Sequence, residues 1–151
     1  MSPSCIFCQI SNGSAPSSTI YEDKDFMIIM DVYPLTDGHC LVLPKKHAIR
    51  LNELEKPIRR RLFELGYAVA ESQKQSGLGV DGTNILLNDG KAANQTVPHL
   101  HLHIIPRKHG DLLKSLPRLV LHITGLFGLK RKRAVLDMQA KLLKATLPRD
   151  L

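Results

Sequence analysis

No apolar run in this sequence approaches the roughly 18 to 20 residues needed to cross a bilayer. The opening Met1-Ser2-Pro3-Ser4-Cys5 also lacks the basic-then-apolar order of a signal peptide. A membrane partner is therefore not expected, and a cytoplasmic location is the default. Cysteine is scarce: Cys5, Cys8 and Cys40 are all there is, and an odd count without a secretion signal argues against a disulfide framework. Internal repeats and low-complexity tracts are missing too. Acidic residues are sparse in one place only. Residues 107–151 hold 11 Lys/Arg against 3 Asp/Glu, whereas residues 1–106 hold 10 against 11, so the formal charge of +7 belongs to the tail. The rest is ordinary globular composition, 43% hydrophobic and 23% charged over 151 residues. A chain of about 150 residues buries roughly 70% of its unfolded surface, enough for one domain with its own core.

Along the chain, Thr19–Glu22 and Phe26–Asp31 flank Asp23-Lys24-Asp25, the length and chemistry of a hairpin loop. Pro34 and Asp37-Gly38 mark a turn before a third strand, His39–Pro44. From Lys56 to Ser76, Ile58, Leu62, Leu65 and Val69 recur at helical spacing, with Asn52 and Glu55 as a candidate capping pair and Gly77 as a stop. Thr83–Asn88 and Pro98–Pro106 read as two more strands around a loop of small and polar residues. Beyond Arg107, Leu112–His122 and Arg131–Leu147 each have helical character, interrupted by Gly125 and Gly128. The economical class is α+β: a sheet of about five strands with one long helix and a helical C-terminal extension.

The strongest chemical signal is His99-Leu100-His101-Leu102-His103, where strand alternation puts three imidazoles on one face and Leu100, Leu102 and Ile104 on the other. Imidazole suits nucleophilic attack and metal ligation, since it titrates near neutrality and a neighbour can set which nitrogen is free. Gln95 and Thr96 precede the row, in a loop whose Gly90, Ala92 and Ala93 leave room for a ligand. Small donors beside imidazoles suggest phosphate oxygens. Cys5-Ile6-Phe7-Cys8 has the two-residue gap of zinc knuckles.

Taken in order, Cys5–Ile10, Asp31 and Pro34, Gly38–His47, Asn88-Asp89-Gly90 and Gln95–His103 resemble the histidine-triad nucleotide hydrolases and transferases over about residues 5–111. The resemblance implies a small antiparallel sheet, a homodimer formed through the long helix and a neighbouring strand, and two-step transfer through a nucleotidyl-histidine without an organic cofactor. By it, His101 matches the nucleophile and His103 the residue assisting at the phosphate and leaving group. Gln95 and Thr96 match phosphate contacts, Asp31 the ribose-binding position, and His39 and Asn88 residues that close around nucleotide and nucleophile. The segment Pro106–Asp111 is more similar to the dinucleoside polyphosphate hydrolase branch than to the phosphoramidase branch. In zinc-carrying members the first triad histidine and the histidine closing Pro-Lys-Lys-His join the cysteine pair, which nominates Cys5, Cys8, His47 and His99 for a structural zinc. Cys40 is expected in the core.

Residues 1–111 are thus expected to form the nucleotide-binding domain, and 112–151 a basic helical extension packed on it. In that extension Val135, Leu136, Met138, Leu142 and Leu143 give an apolar stripe, which favours packing over nucleic-acid binding by the Lys130-Arg131-Lys132-Arg133 run. Two alternatives to the nucleotidyl-histidine hydrolase stand: a non-catalytic nucleotide sensor using the same pocket, and a metallohydrolase with His99, His101 and His103 on one catalytic zinc.

Overall fold

Asp23-Lys24-Asp25, set between two apolar runs, makes the hairpin: β1 (Thr19–Glu22) and β2 (Phe26–Met30) pair antiparallel. The Asp23 carboxylate closes the turn by accepting the backbone N–H of Asp25 at 2.8 Å and of Phe26 at 2.6 Å. The structure is a computed structural model that describes residues 4–79, 81–111, 116, 117, 120, 130–149 and 151. Strands β3 (Cys40–Pro44), β4 (Gly82–Leu87) and β5 (Leu102–Arg107) complete an antiparallel sheet of five strands in the order β1-β2-β3-β5-β4. Three helices accompany it among the described residues, α1 (Ile6–Ser11), α2 (Lys56–Gln75) and α3 (Arg133–Thr146), so the class is α+β as expected.

Register divides the sheet into two faces. The pairings Ile29↔Leu41 and Leu41↔His103 put these residues on one side, where Met27, Ile29, Leu41 and Leu43 pack with Cys5, Phe7 and Cys8 at α1. On the other side Ile28, Met30, Val42, Leu102 and Ile104 meet Leu62, Leu65 and Val69 of α2 and Leu136, Ala140 and Leu143 of α3. With both faces covered, every residue of β2 and β3 is buried, which is why these strands read as continuous apolar runs. Leu62, Leu65 and Val69 are fully buried and belong to the core, whereas Phe63 and Tyr67 of the same helix are 45% and 64% exposed. Close approach of α2 to β5 requires Gly66, since a Cβ there would fall 2.8 Å from Leu102 Cδ2 and 3.0 Å from Ile104 Cδ1.

Three details depart from the sequence pattern. Strand β5 begins at Leu102, not Pro98. Ahead of it, the His99 N–H donates to the Val97 carbonyl at 2.8 Å and the Leu100 N–H to the Ala48 carbonyl at 2.7 Å. These bonds turn the backbone out of the ladder, yet Leu100 still enters the core and His99 and His101 stay on the other side. The capping pair is not Asn52 and Glu55. The Glu53 carboxylate instead accepts the N–H groups of Ile49 and Arg50, both at 3.1 Å, and α2 starts after an extended Glu55 with Pro57 in its first turn. Of the two expected C-terminal helices, the second is α3, packed on α2, β1 and β2 and anchored where the Ser72 hydroxyl donates to the Leu143 carbonyl at 2.9 Å. The first, Leu112–His122, lies mostly outside the described residues, as do Gly125 and Gly128. No helix among the described residues is long and apolar enough to cross a membrane.

Candidate functional site

A cavity of about 440 Å³ opens on the sheet face that carries Ile29, Leu41 and His103, with Phe7 and Ile10 of α1 as one wall. That volume suits a nucleotide-sized ligand. Its polar lining includes Asp31, Thr96, His101 and His103, and the two imidazoles stand with ring centroids 4.8 Å apart.

The hydrogen bonds fix opposite tautomers on these neighbours. His101 Nδ1 lies 2.7 Å from the His99 carbonyl oxygen, which can only accept, so Nδ1 carries the proton and Nε2 keeps its lone pair. In the other direction, the Leu35 N–H donates to His39 Nδ1 at 3.2 Å, which leaves the His39 proton on Nε2. That nitrogen donates to His103 Nδ1 at 3.0 Å, so neutral His103 carries its proton on Nε2. Asp31 accepts the Tyr33 N–H at 2.9 Å, and its other oxygen is 3.6 Å from His39 Nδ1 and 3.9 Å from His103 Nδ1. The carboxylate is close enough to stabilise positive charge developing on the pair. One imidazole thus offers a lone pair and its neighbour a proton, the complement needed to attack an electrophile and assist its leaving group.

Beside this pair lies a second constellation. Cys8 Sγ is 3.3 Å from His47 Nδ1, and His99 Nδ1 is 3.5 Å from Cys5 Sγ and 3.7 Å from Cys8 Sγ. All four ligand atoms lie within 4.8 Å of one another. His99 Nε2 donates to the Pro44 carbonyl at 2.8 Å, which turns the Nδ1 lone pair toward the sulfurs. With Zn–S near 2.3 Å and Zn–N near 2.1 Å, the edge of a tetrahedral site is roughly 3.5 Å, and the three nitrogen–sulfur distances bracket it. Burial, assisted by His47 and His101, pushes the His99 pKa down to about 4, so the ring is neutral and able to ligate near pH 7. Burial raises the Cys5 thiol, a direction that a bound cation reverses. Asp31, His39 and His103 also approach closely enough to share an ion, but the Leu35 N–H and the His39–His103 bond already engage their facing nitrogens. His99, His101 and His103 form no joint ligand set among the described residues, and His101 Nδ1 is spent on a carbonyl. A single catalytic zinc on the triad therefore has no support.

The remaining nominated residues separate. Thr96 lines the main cavity. Gln95 does not: its amide donates to the Ile49 carbonyl at 2.8 Å and accepts the Gly90 N–H at 2.9 Å, closing the loop before the triad. It lines a neighbouring depression with Arg50, Lys91 and Thr96. Asn88 is half-buried just beyond β4 and lines neither space. His39 is fully buried and lies behind the cavity lining, against His103 and Asp31. Cys40 is a core thiol, its pKa raised by complete burial.

Several contributors had no signal of their own. Phe7, 5.0 Å from the His101 ring and 5.7 Å from the His99 ring, reads as a plain core aromatic. The orienting groups of His99, Pro44 and Leu35 are backbone atoms. Lys130 and Arg133 line the cavity from the C-terminal segment, where their sequence shows only a charge run.

The HIT domain profile matches residues 12–110. An adenylylsulfatase of Arabidopsis thaliana is 33% identical over 147 residues, 97% of this chain and 69% of that protein. An adenosine 5'-monophosphoramidase of Schizosaccharomyces pombe is 36% identical over 108 residues, 72% of this chain and 77% of its own. Among solved structures, a Zn-bound histidine triad family protein from Mycobacterium smegmatis superimposes with a TM-score of 0.77 at 38% identity, covering 95% of this chain and 92% of that one. A matched domain that spans most of the sequence and contains the whole imidazole row leads to one conclusion: the chain belongs to the histidine-triad, or HIT-domain, family.

Proposed function

We propose that this protein is a nucleotide hydrolase that releases a nucleoside monophosphate by attack of His101 on the α-phosphorus. The observation that carries the reading is the 2.7 Å bond from His101 Nδ1 to the His99 carbonyl, which holds the Nε2 lone pair ready beside a proton-bearing His103. In the first step an N–P bond forms at His101 Nε2 and the bond from phosphorus to the leaving group breaks with its electron pair on the departing atom, to which His103 Nε2–H donates a hydrogen bond. In the second, water attacks phosphorus, the N–P bond breaks with its electron pair returning to Nε2, and the water proton passes to the departed group where that group is a base and otherwise to solvent. Thr96 donates to phosphate oxygens, Asp31 accepts from ribose hydroxyls, and the apolar walls formed by Phe7, Ile29 and Leu41 hold the base. His39 keeps His103 in its tautomer, and Gln95 and Asn88 shape the loop and strand end that frame the phosphates. The substrate class is a nucleotidyl conjugate: a dinucleoside polyphosphate, a nucleoside phosphoramidate or a nucleotidyl sulfate. The last two are the activities named for the fission yeast and Arabidopsis relatives.

The same reading assigns Cys5, Cys8, His47 and His99 a structural zinc. Four protein ligands close such a site, so the ion would contribute stability and hold α1 and the His99 segment in place. It takes residues 1–111 as the catalytic unit and 112–151 as an extension packed on it. It also makes the protein a homodimer through α2 and β4, supported by exposed Phe63 and Tyr67 on α2 and by Ile85 and Leu86, 47% and 41% exposed, on an edge strand. Light scattering should give twice the monomer mass for the wild type and a lower mass for Tyr67→Glu.

The decisive assay follows AMP by chromatography from adenosine phosphosulfate, a diadenosine polyphosphate and an adenosine phosphoramidate, with wild type and His101→Ala. Wild-type turnover of at least one substrate should fall by about a thousandfold or more in the variant, because no second nucleophile replaces the imidazole. Nucleotide binding without AMP release from any of the three would replace hydrolysis with a sensor role.

A further inference from the structure

The run Lys130-Arg131-Lys132-Arg133 divides its cations between anchoring and the cavity. Arg131 donates its backbone N–H to the Val32 carbonyl at 2.9 Å and pairs its guanidinium with Asp37. These bonds pin the segment beside the residue that follows Asp31. Lys132 is exposed and precedes α3. Lys130 and Arg133, on either side, line the cavity that contains His101 and His103. Arg133 donates to the Ser18 hydroxyl at 3.1 Å and the Pro16 carbonyl at 3.2 Å; that hydroxyl donates in turn to Asp137 at 2.6 Å, and Arg133 makes no direct ion pair among the described residues. Lys130 has no ion pair or hydrogen bond among the described residues and extends from an exposed position. Against these two cations the lining sets a single carboxylate, Asp31, among the described residues. Two cations without an ion pair among the described residues, set against one carboxylate in the wall of a nucleotide-sized cavity, exceed what one α-phosphate requires.

We propose that Lys130 and Arg133 form an anion subsite on the Val32 and Pro16 side of the cavity, and that it takes a second phosphate of the bound nucleotide. The inference rests on the nucleotide reading above. A phosphate brings about −1.5 to −2 of charge and three strong acceptor oxygens. Arginine meets them with a planar fork and lysine with a mobile point charge. Because Arg131 fixes the segment to Val32, one residue from Asp31, the nearest nucleotide group in this reading is the ribose edge. The favoured source of the second phosphate is therefore a 2'- or 3'-hydroxyl, with a phosphate beyond the α position as the other source. The extension then selects among nucleotides, while the triad performs the same chemistry on all of them.

The test is calorimetric titration of the full chain with AMP, ADP, adenosine 2',5'-bisphosphate and adenosine 3',5'-bisphosphate. It compares wild type, Lys130→Ala, Lys130→Ala/Arg133→Gln and the charge-matched control Lys141→Ala. Wild type should bind one doubly phosphorylated nucleotide at least about tenfold more tightly than AMP, and the preference should shrink as salt is raised. Lys130→Ala should lose several-fold of that preference and the double variant all of it, with AMP affinity held within about threefold and Lys141→Ala unchanged. A bisphosphate preference identifies the ribose source and an ADP preference the chain source. Equal wild-type affinity for all four, or a preference that survives in Lys130→Ala, overturns the subsite while leaving hydrolysis intact. Since Lys130 is exposed, that single variant reads the subsite without a folding effect. Failure of AMP itself to bind overturns the nucleotide reading and the subsite with it.

Discussion

Leu100 donates its backbone N–H to the Ala48 carbonyl at 2.7 Å, and this bond ties the loop carrying His47 to the segment carrying His99 and His101. Two of the four candidate metal ligands therefore sit at the ends of one backbone clamp, and the candidate nucleophile sits one residue beyond it. Anything that loosens the clamp acts on His101 through the chain itself.

Metal removal is the first consequence. Chelation, or Cys8→Ser, should lower the melting temperature by about 5 °C or more, since a loss of a few kcal/mol shifts a domain of this size by about 2–4 °C per kcal/mol. Turnover should fall in the same titration, because the His99 carbonyl that orients His101 moves with the clamp. Elemental analysis beside calorimetry checks both. Full activity and unchanged melting in zinc-free protein would remove the metal from the account.

His39 should act on rate and hardly on binding. Replacing it by Ala or Gln frees His103 to adopt either tautomer and should lower kcat by about tenfold to a hundredfold, part of what a positioned acid contributes. KM should stay within about threefold. The pH–rate profile, unlike stability alone, should shift its limb as His103 loses its partner; an unchanged profile would make His39 merely a packing residue.

Acid should destabilise the metal-free fold through His99. Its folded pKa of about 4 is depressed below the ordinary 6.5, so between these values the unfolded chain binds a proton that the folded chain refuses. The stability it contributes is complete above about pH 6.5 and is lost as pH falls toward 4. Urea midpoints of chelated wild type should drop across that window, and His99→Gln should flatten the drop.

Gly66→Ala should destabilise by about 1–3 kcal/mol, an overpacking cost. The new Cβ meets Leu102 Cδ2 at 2.8 Å, and either α2 or the strand carrying His103 must yield. Denaturant unfolding measures the loss, and a reduced kcat would show that the strand is what moved.

How legible all this was depended on whether a feature lived in side-chain pattern or in backbone contact. Hairpin, long helix and imidazole row come from periodicity, and periodicity survived even where the ladder did not: His99 and His101 face the site although β5 starts at Leu102. The boundary itself was hidden because the Leu100–Ala48 bond joins segments 52 residues apart in sequence. Cys5, Cys8, His47 and His99, nominated from their side-chain types, lie with their ligand atoms within 4.8 Å of one another. The bonds of Gln95 had no sequence signal: an amide pairs with backbone as readily as with ligand, and here it donates to the carbonyl of Ile49 and accepts from Gly90. Phe7 and the Lys130–Arg133 run were visible as residue types, but only the fold says which cavity they border.

The HIT domain profile ends at residue 110, yet the hydrophobic interior does not. Leu136, Ala140 and Leu143 of α3 share one core with Leu102 and Ile104, the residues that flank His103 on β5. Truncation after Asp111 would leave bare the patch that α3 covers on α2, β1 and β2, at a cost of about 1.5–3 kcal/mol for each lost leucine. It would also remove one wall of the cavity. The outline of the family profile and the hydrophobic core therefore differ in extent here. A fragment trimmed to the family boundary should be recovered as an aggregation-prone chain, not as a compact enzyme.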